Sequence, residues 1–142
     1  MTDLICSGGL FYCKTTTRFL FLHRTQSKHS HKWGIVGGSR EDGETPWQTF
    51  KREMIEEIGE TQIEKSIPLE VFLSKDAKFS YHTYLCIVKN EFIPKLNHEH
   101  NGYAWVTYAS WPKPLHYGLK NTLDKKTNKI KLETVLSIYN CD

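Results

Sequence analysis

Apolar and polar positions follow two periods along this chain, and the change of period marks where strands give way to helices. Residues 4–13 (LICSGGLFYC) and 18–24 (RFLFLHR) are dense in apolar and aromatic side chains, with a threonine turn at 15–17 between them. Runs of that length bounded by turn residues read as strands, and so short a connection predicts an antiparallel pair. The second run is nearly all apolar, which predicts a central strand covered on both faces. After a polar loop at 25–32 comes a short apolar strand, 33–38, ending on Gly37-Gly38. Residues 64–79 read as one or two strands centred on LEVFL, with Ser74-Lys75-Asp76 as a turn. The stretch 80–89 (SYHTYLCIVK) is rich in the aromatic and β-branched residues that suit a pleated surface, and 103–107 (YAWVT) is a shorter strand of the same kind. Between them, 90–101 is a polar loop, and 111–114 (WPKP) is an extended connector.

The helical period appears first after Thr45-Pro46. Threonine is a good N-cap and proline fits the first helical position. Trp47, Phe50, Met54 and Ile58 then recur at helical spacing as an apolar stripe, and Gly59 is a natural stop. Two more helices are predicted at 115–123 and 131–139, the second with the clearer stripe (LETVLSIY). No internal repeat is visible. Strands interspersed with a few helices predict an α/β or α+β fold on a mixed sheet, one domain over residues 1–142.

Composition changes this picture little. With 142 residues, 39% hydrophobic and 25% charged, the chain can close a single core without disulfides or a structural metal. Its net charge of +3 suits an anionic small molecule. The one basic cluster, Lys125, Lys126, Lys129 and Lys131, reads as a solvated helix end or turn, so composition argues against nucleic acid as the partner. Cys6, Cys13, Cys86 and Cys141 form no metal-binding spacing; Cys6 and Cys86 sit in strand-like runs as small core residues. Free thiols, no signal peptide and no apolar run of membrane length lead to the expectation of a soluble cytoplasmic protein with no membrane partner. His29 and His31 lie in a polar loop and are expected to face solvent.

The candidate chemistry is concentrated between Gly38 and Glu60 (GSREDGETPWQTFKREMIEEIGE). Glu53, Glu56 and Glu57 stand at i, i+3 and i+4 and so share one helix face, separate from the apolar stripe. Clustered carboxylates raise one another's pKa unless something neutralises them. A divalent cation does that, and all-oxygen donors suit Mg²⁺, with Mn²⁺ as a substitute. Arg52 is placed to fix a glutamate rotamer or to contact phosphate. Gly37-Gly38 allows backbone N–H groups to approach an anion. A lone KREMIEE heptad would be no more than a charged helix surface; the surrounding positions make it more.

Those positions resemble the Nudix box, G-x5-E-x7-R-E-U-x-E-E-x-G-U with U apolar. Gly38, Glu44, Arg52, Glu53, Met54, Glu56, Glu57 and Gly59 match, and Glu60 departs where the family has an aliphatic residue that packs behind the helix. The preceding Trp33-Gly34-Ile35-Val36-Gly37-Gly38 is similar to the family's W-x-x-P-G-G approach, with Val36 in place of proline. The resemblance implies a mixed sheet sandwiched between helices, and hydrolysis of the diphosphate in a nucleoside diphosphate linked to another moiety. The moieties in view are a sugar as in ADP-ribose, a second nucleoside, or the phosphate of a (d)NTP. It implies Glu56 and Glu57 as Mg²⁺ ligands, Glu53 as a further ligand or the base, Arg52 as an orienting group, and Gly38 as a source of a carbonyl or of space. Glu44 is implied to be structural or to tune the helix start.

In this family a glutamate in the loop before the last sheet strand often serves as the base or a ligand, which points to Glu99. Trp33, Phe79, Tyr81 and Tyr103 are candidates to stack on a base, and His116 opens a segment that borders the substrate in relatives. Nudix enzymes are often dimers, so a homodimer stays open. Two other functions stay open as well: a catalytically silent nucleotide-binding module of the same fold, and an enzyme acting on RNA 5′ ends.

Overall fold

The strand β1 (Leu4–Cys13) is ten residues long, and the rest of the sheet is built outward from it. The computed structural model describes residues 3–25 and 31–139; His29 and Cys141 lie outside them. Along its whole length β1 pairs in parallel with β6 (Phe79–Val88), from Leu4↔Phe79 to Cys13↔Val88. All other named pairings are antiparallel, so the sheet is mixed. Outside β6 lies β5 (Lys65–Leu73). On the other side, β2 (Arg18–Arg24) meets β1 only at Tyr12↔Phe19 and Cys13↔Arg18 and then leaves to pair with β7 (His100–Thr107).

The antiparallel β1–β2 pair expected from the short turn therefore exists, but it is brief. The gap that opens between its arms is where the functional residues gather. Residues 33–39 enter that gap. They form two strands where one was expected: β3 (Trp33–Gly34) pairs with β2, and β4 (Val36–Ser39) pairs with β1. The break at Ile35 is the crossing from one neighbour to the other.

Among the described residues three helices cover the sheet: α1 (Pro46–Ile58) on one face, α2 (Tyr117–Asp124) and α3 (Lys126–Tyr139) on the other. Alternation along the strands sorts the core accordingly. Phe11, Leu20, Leu22, Cys86 and Val88 pack with Phe50, Met54 and Ile58 of α1. Leu10, Tyr12, Phe19, Phe21, Leu85 and Ile87 pack with Leu119, Leu123, Leu132 and Val135. The apolar run of β2 is covered on both faces, as its composition predicts. Cys13 and Cys86 are buried free thiols, and Cys6 is half-buried. No described helix is long and apolar enough to cross a membrane.

The two terminal helices differ from expectation in where they begin. Leu115 bridges to Trp33, and His116 caps the next helix, so α2 starts at Tyr117. Helix α3 starts at Lys126, ahead of its apolar stripe, because the buried Asn128 donates from Nδ2 to the Thr122 carbonyl at 2.9 Å and closes the end of α2. The basic cluster is also more than a solvated helix end. Lys125 Nζ lies 3.1 Å from the Glu70 carboxylate, and Lys131 Nζ donates to the Leu69 carbonyl at 2.7 Å, so two of these lysines dock the helix pair on β5.

Candidate active site

Helix α1 is fixed in phase by its first turn. Thr45 Oγ1 accepts from the Gln48 N–H at 3.2 Å, and the Gln48 side chain accepts from the Thr45 N–H at 2.9 Å, a reciprocal cap that satisfies two otherwise orphaned donors. With Phe50, Met54 and Ile58 committed to the core, Glu53 and Glu57 fall on the flank of the helix that meets β4. The Gly37 N–H donates to Glu57 Oε1 at 3.2 Å. At Gly38, an added Cβ would stand only 2.5 Å from Glu53 Oε1.

The three glutamates were expected on one acidic face apart from the core. The structure grades them instead: Glu57 is 3% exposed, the Glu53 side chain 14% and the Glu56 side chain 55%. Burial pushes the Glu57 carboxyl well above the usual carboxylate range, and the nearby charges of Glu53 and Glu99 push the same way, against the Gly37 N–H. Glu53 is raised too, again by burial, although Arg52 pulls it down. The charge of each of these two carboxyls thus bears on the proton affinity of the other.

Arg52 holds the open side of this arrangement. Its Nε donates to Glu44 Oε2 at 2.8 Å and its Nη2 to Glu44 Oε1 at 3.2 Å, a two-pronged contact. Nη1 reaches Glu53 at 2.9 Å and Glu56 at 3.5 Å, and Nη2 also donates to the Ser39 carbonyl at 2.9 Å. Glu44 accepts further from the Glu41 N–H at 2.9 Å and the buried Thr49 hydroxyl at 3.0 Å. With Arg52 the chief cause, its carboxyl is held down to about 2. Glu44 is thus the anchor of Arg52 and stands behind the acidic pair.

Two polar groups of this region lie outside the Nudix box. Arg24 continues the phase of Leu20 and Leu22 and so shares the α1 face of β2. Its guanidinium crosses Gly34, where a Cβ would lie 2.8 Å from Nε, and that buried Nε has no hydrogen-bond partner. His100 sits opposite Arg24 across a bulge in β7. It is 5% exposed with neither ring nitrogen bonded, and burial holds its pKa down to about 4, with Arg24 adding to the effect. The Tyr81 hydroxyl feels both the Arg24 charge and the Glu53–Glu57 pair, which places the cation and the acidic pair at one end of the sheet.

A family model of the NUDIX domain matches residues 8–125. The chain belongs to the Nudix family. It is 33% identical over 114 residues to the dihydroneopterin triphosphate diphosphatase of Haemophilus influenzae, a match covering 69% of this chain and 70% of that protein. It is also 33% identical over 113 residues to the nucleoside triphosphatase NudI of Escherichia coli K12, covering 70% and 76%. Among solved structures it resembles the NUDIX domain of Shewanella oneidensis NrtR complexed with ADP ribose, with a TM-score of 0.72 at 13% identity over 93% of this chain and 90% of that one. Family and relatives together make it a Nudix pyrophosphohydrolase.

The Nudix site residues are not all in one place. Glu99 lies in the turn before β7, exposed, and close enough for its charge to act on Glu57. Tyr103 pairs with Leu22 and so shares the α1 face; it is 38% exposed. Trp33 lies on the opposite face, packed against the α2–α3 core with its ring 4.9 Å from His23. His116 stays beside it: its N–H donates to the Trp33 carbonyl at 2.8 Å, and its Nδ1 accepts from the Leu119 N–H at 3.5 Å. Glu60, the departure from the Nudix box, is exposed on the other flank of α1. There it lines a polar groove of about 780 Å³ with Trp47, Lys51 and Lys65, which holds none of the candidate ligands.

Whether these residues suit a hard divalent cation is tested by the donor set. Two carboxyls are brought together with little exposure, and a divalent cation would neutralise their mutual repulsion. The glutamates and the Gly38 carbonyl offer oxygen donors, and the bare Cα of Gly38 keeps the space beside Glu53 clear. Among the described residues no three acidic, histidine or cysteine groups already converge on one point, and Arg52 holds Glu53 and Glu56. The chemistry of the set fits.

A contrast between the paired glycines follows. At Gly37 a Cβ would meet the Ser7 carbonyl oxygen at 2.5 Å and the Gly8 Cα at 2.8 Å, backbone that cannot yield. At Gly38 it meets only the end of a side chain. Gly38→Ala is therefore expected to fold with a melting temperature near wild type and to lose at least about tenfold in kcat, since a small misplacement of a reacting group is costly. Gly37→Ala is expected to unfold at lower temperature. Thermal melts read beside steady-state rates separate the two, and equal behaviour of both variants would contradict the geometry.

Proposed function

We propose that this protein hydrolyses the diphosphate linkage of a small nucleotide in a Mg²⁺-dependent reaction, with a nucleoside triphosphate as the substrate class. The observation that carries the reading is the little-exposed Glu53–Glu57 pair seated over Gly37-Gly38, with Arg52 bonded to Glu53. The two relatives named for triphosphate substrates support the class. Glu53, Glu56 and Glu57 would hold the cation, with Glu99 and the Gly38 carbonyl as further oxygen donors, and Mn²⁺ would be an acceptable replacement. When bound, such an ion neutralises phosphate charge and polarises the phosphorus under attack.

The protein's own groups do the rest. Arg52 keeps the glutamates in register. Arg24, half-buried with its Nε lacking a partner, takes an anionic phosphate oxygen, and Gly37 lets the backbone come close to the substrate. Tyr103 offers a partly open ring on the α1 face, whereas Trp33, with His116 beside it, is on the opposite face and left to the core. Glu99 accepts the proton of the attacking water as its oxygen bonds to phosphorus. The bridging P–O bond breaks, and the leaving phosphate carries away the electron pair. Replacing Glu99 by glutamine is expected to lower kcat at least about tenfold; an unchanged rate would return the proton to Glu53.

The deciding experiment is a nucleotide panel read by product identity, with Mg²⁺ against EDTA. Nucleoside monophosphate and pyrophosphate from triphosphates, with EDTA abolishing both, is the expected result. ADP-ribose or a dinucleoside polyphosphate as the favoured substrate would move the class but not the reaction. Preference for 5′-triphosphorylated RNA over free nucleotide would shift the reading to RNA ends. Tight nucleotide binding with no turnover would replace the enzyme by a silent module, for which the retention of Glu53, Glu56 and Glu57 together offers no reason.

A further inference from the structure

Helix α1 ends at Ile58, and its last carbonyls have no partner within the helix. The loop before β7 supplies two of the missing donors. The Lys95 N–H donates to the Ile58 carbonyl at 3.0 Å, and Asn97 Nδ2 donates to the Glu56 carbonyl at 3.1 Å. The same Asn97 amide faces the other way as well: its Oδ1 accepts from the Glu99 N–H at 3.0 Å. One planar side chain therefore links the backbone of Glu56 to the backbone of Glu99.

The surrounding contacts make this link a constraint. The Glu99 carbonyl accepts from the Thr25 N–H at 3.0 Å, and Thr25 Oγ1 donates to the His98 carbonyl at 3.0 Å, so the turn is fixed on its β2 side. Phe92 and Leu96 pack against the α1-side core, which holds the start of the loop. Between those anchors, Asn97 alone among the described side chains ties residues 97–99 to the helix that carries Glu53, Glu56 and Glu57. An amide suits both ends, since it donates to a carbonyl and accepts from an N–H at once. Aspartate or leucine cannot do both.

We propose that Asn97 is a positioning residue for the hydrolysis, setting where Glu99 stands relative to the acidic pair on α1. This rests on the reading of Glu99 as the proton acceptor or a ligand. Asn97 itself touches no reacting atom; it acts by holding Glu99 within the narrow range in which a reacting group is productive, where a shift of about 1 Å costs up to a hundredfold.

The test is a double-mutant cycle on the full chain with a nucleoside triphosphate and saturating Mg²⁺, comparing wild type, Asn97→Ala, Glu99→Gln and the double variant. Asn97→Ala is expected to lower kcat at least tenfold while KM moves less than about twofold. The melting temperature is expected to stay within a few degrees, because the Lys95 bond and the Phe92 and Leu96 contacts remain. In the Glu99→Gln background the same substitution is expected to cost nothing more. Amide exchange at Glu99, protected in wild type, is expected to quicken in Asn97→Ala, and Asn97→Asp, which keeps the acceptor but not the donor, is expected to preserve that protection yet lose activity. A wild-type kcat in Asn97→Ala beside an impaired Glu99→Gln overturns the proposal alone. A loss that multiplies with that of Glu99→Gln overturns it too, since Asn97 would then act by another route. A wild-type rate in Glu99→Gln removes the role assigned to Glu99, and the proposal goes with it.

Discussion

Glu57→Gln is expected to abolish turnover without loss of fold, with kcat down at least about a hundredfold, since a bound metal's charge stabilisation is worth several kcal/mol and each 1.4 kcal/mol is tenfold. The glutamine is nearly the shape of the protonated acid that burial already favours here, and its carbonyl oxygen still accepts from the Gly37 N–H. What it removes is the option of a negative charge at a site 3% exposed.

The pH dependence has a definite sign. A carboxyl whose folded pKa lies above the unfolded value of about 4.3 binds more protons in the folded state. Its stabilising contribution is complete below the unfolded pKa and is lost as pH rises through the folded one. Wild type in EDTA is therefore expected to melt at progressively lower temperature as pH rises from about 4.3 towards about 9. Glu57→Gln is expected to show a flatter profile, and added Mg²⁺ is expected to raise the melting temperature of wild type but not of the variant. A variant that keeps wild-type turnover would remove Glu57 from the ligand set.

Much of this was legible from local spacing. The interval from Thr45 to Gly59 carries its own cap, stripe and stop, so the helix and the phase of its glutamates follow from the residues alone. Strands β1 and β2 were equally plain, because dense apolar runs between turn residues need no partner to be recognised. What local pattern does not carry is which strand lies beside which. Arg24 ends an apolar strand, and its phase with Leu20 and Leu22 was there to be read. Its placement opposite His100 depends on β2 leaving β1 and on a bulge in β7, which are long-range facts.

The same limit explains Trp33 and Glu57. Trp33 stands four residues before Gly37, yet the strand crosses at Ile35 and its ring packs under α2 and α3. Glu57 was read as part of an open acidic face, because helical phase gives direction but not depth. The seating of β4 against β1 is what buries it. Glu44 was the better case: its expected supporting role appears as the four donors gathered on one carboxylate.

That carboxylate is the ground for the second large effect. Arg52→Lys is expected to cost at least about tenfold in kcat, because a lysine is a single point charge and cannot span Glu44, Glu53, Glu56 and the Ser39 carbonyl in one plane. Glu44→Gln, which weakens the anchor and leaves the guanidinium intact, is expected to lower kcat in the same direction. The two losses are expected not to multiply, since both release the same clamp. An acid titration gives an independent check. Glu44 is held down to about 2, below the unfolded carboxylate value, so its contribution to stability is complete above about pH 4.3 and is lost as pH falls towards 2. Glu44→Gln and Arg52→Lys are both expected to flatten that acid limb, as followed by circular dichroism. An Arg52→Lys enzyme with wild-type kcat and a wild-type acid limb would mean that the fork geometry is dispensable. The glutamates over Gly38 would then be held by burial alone.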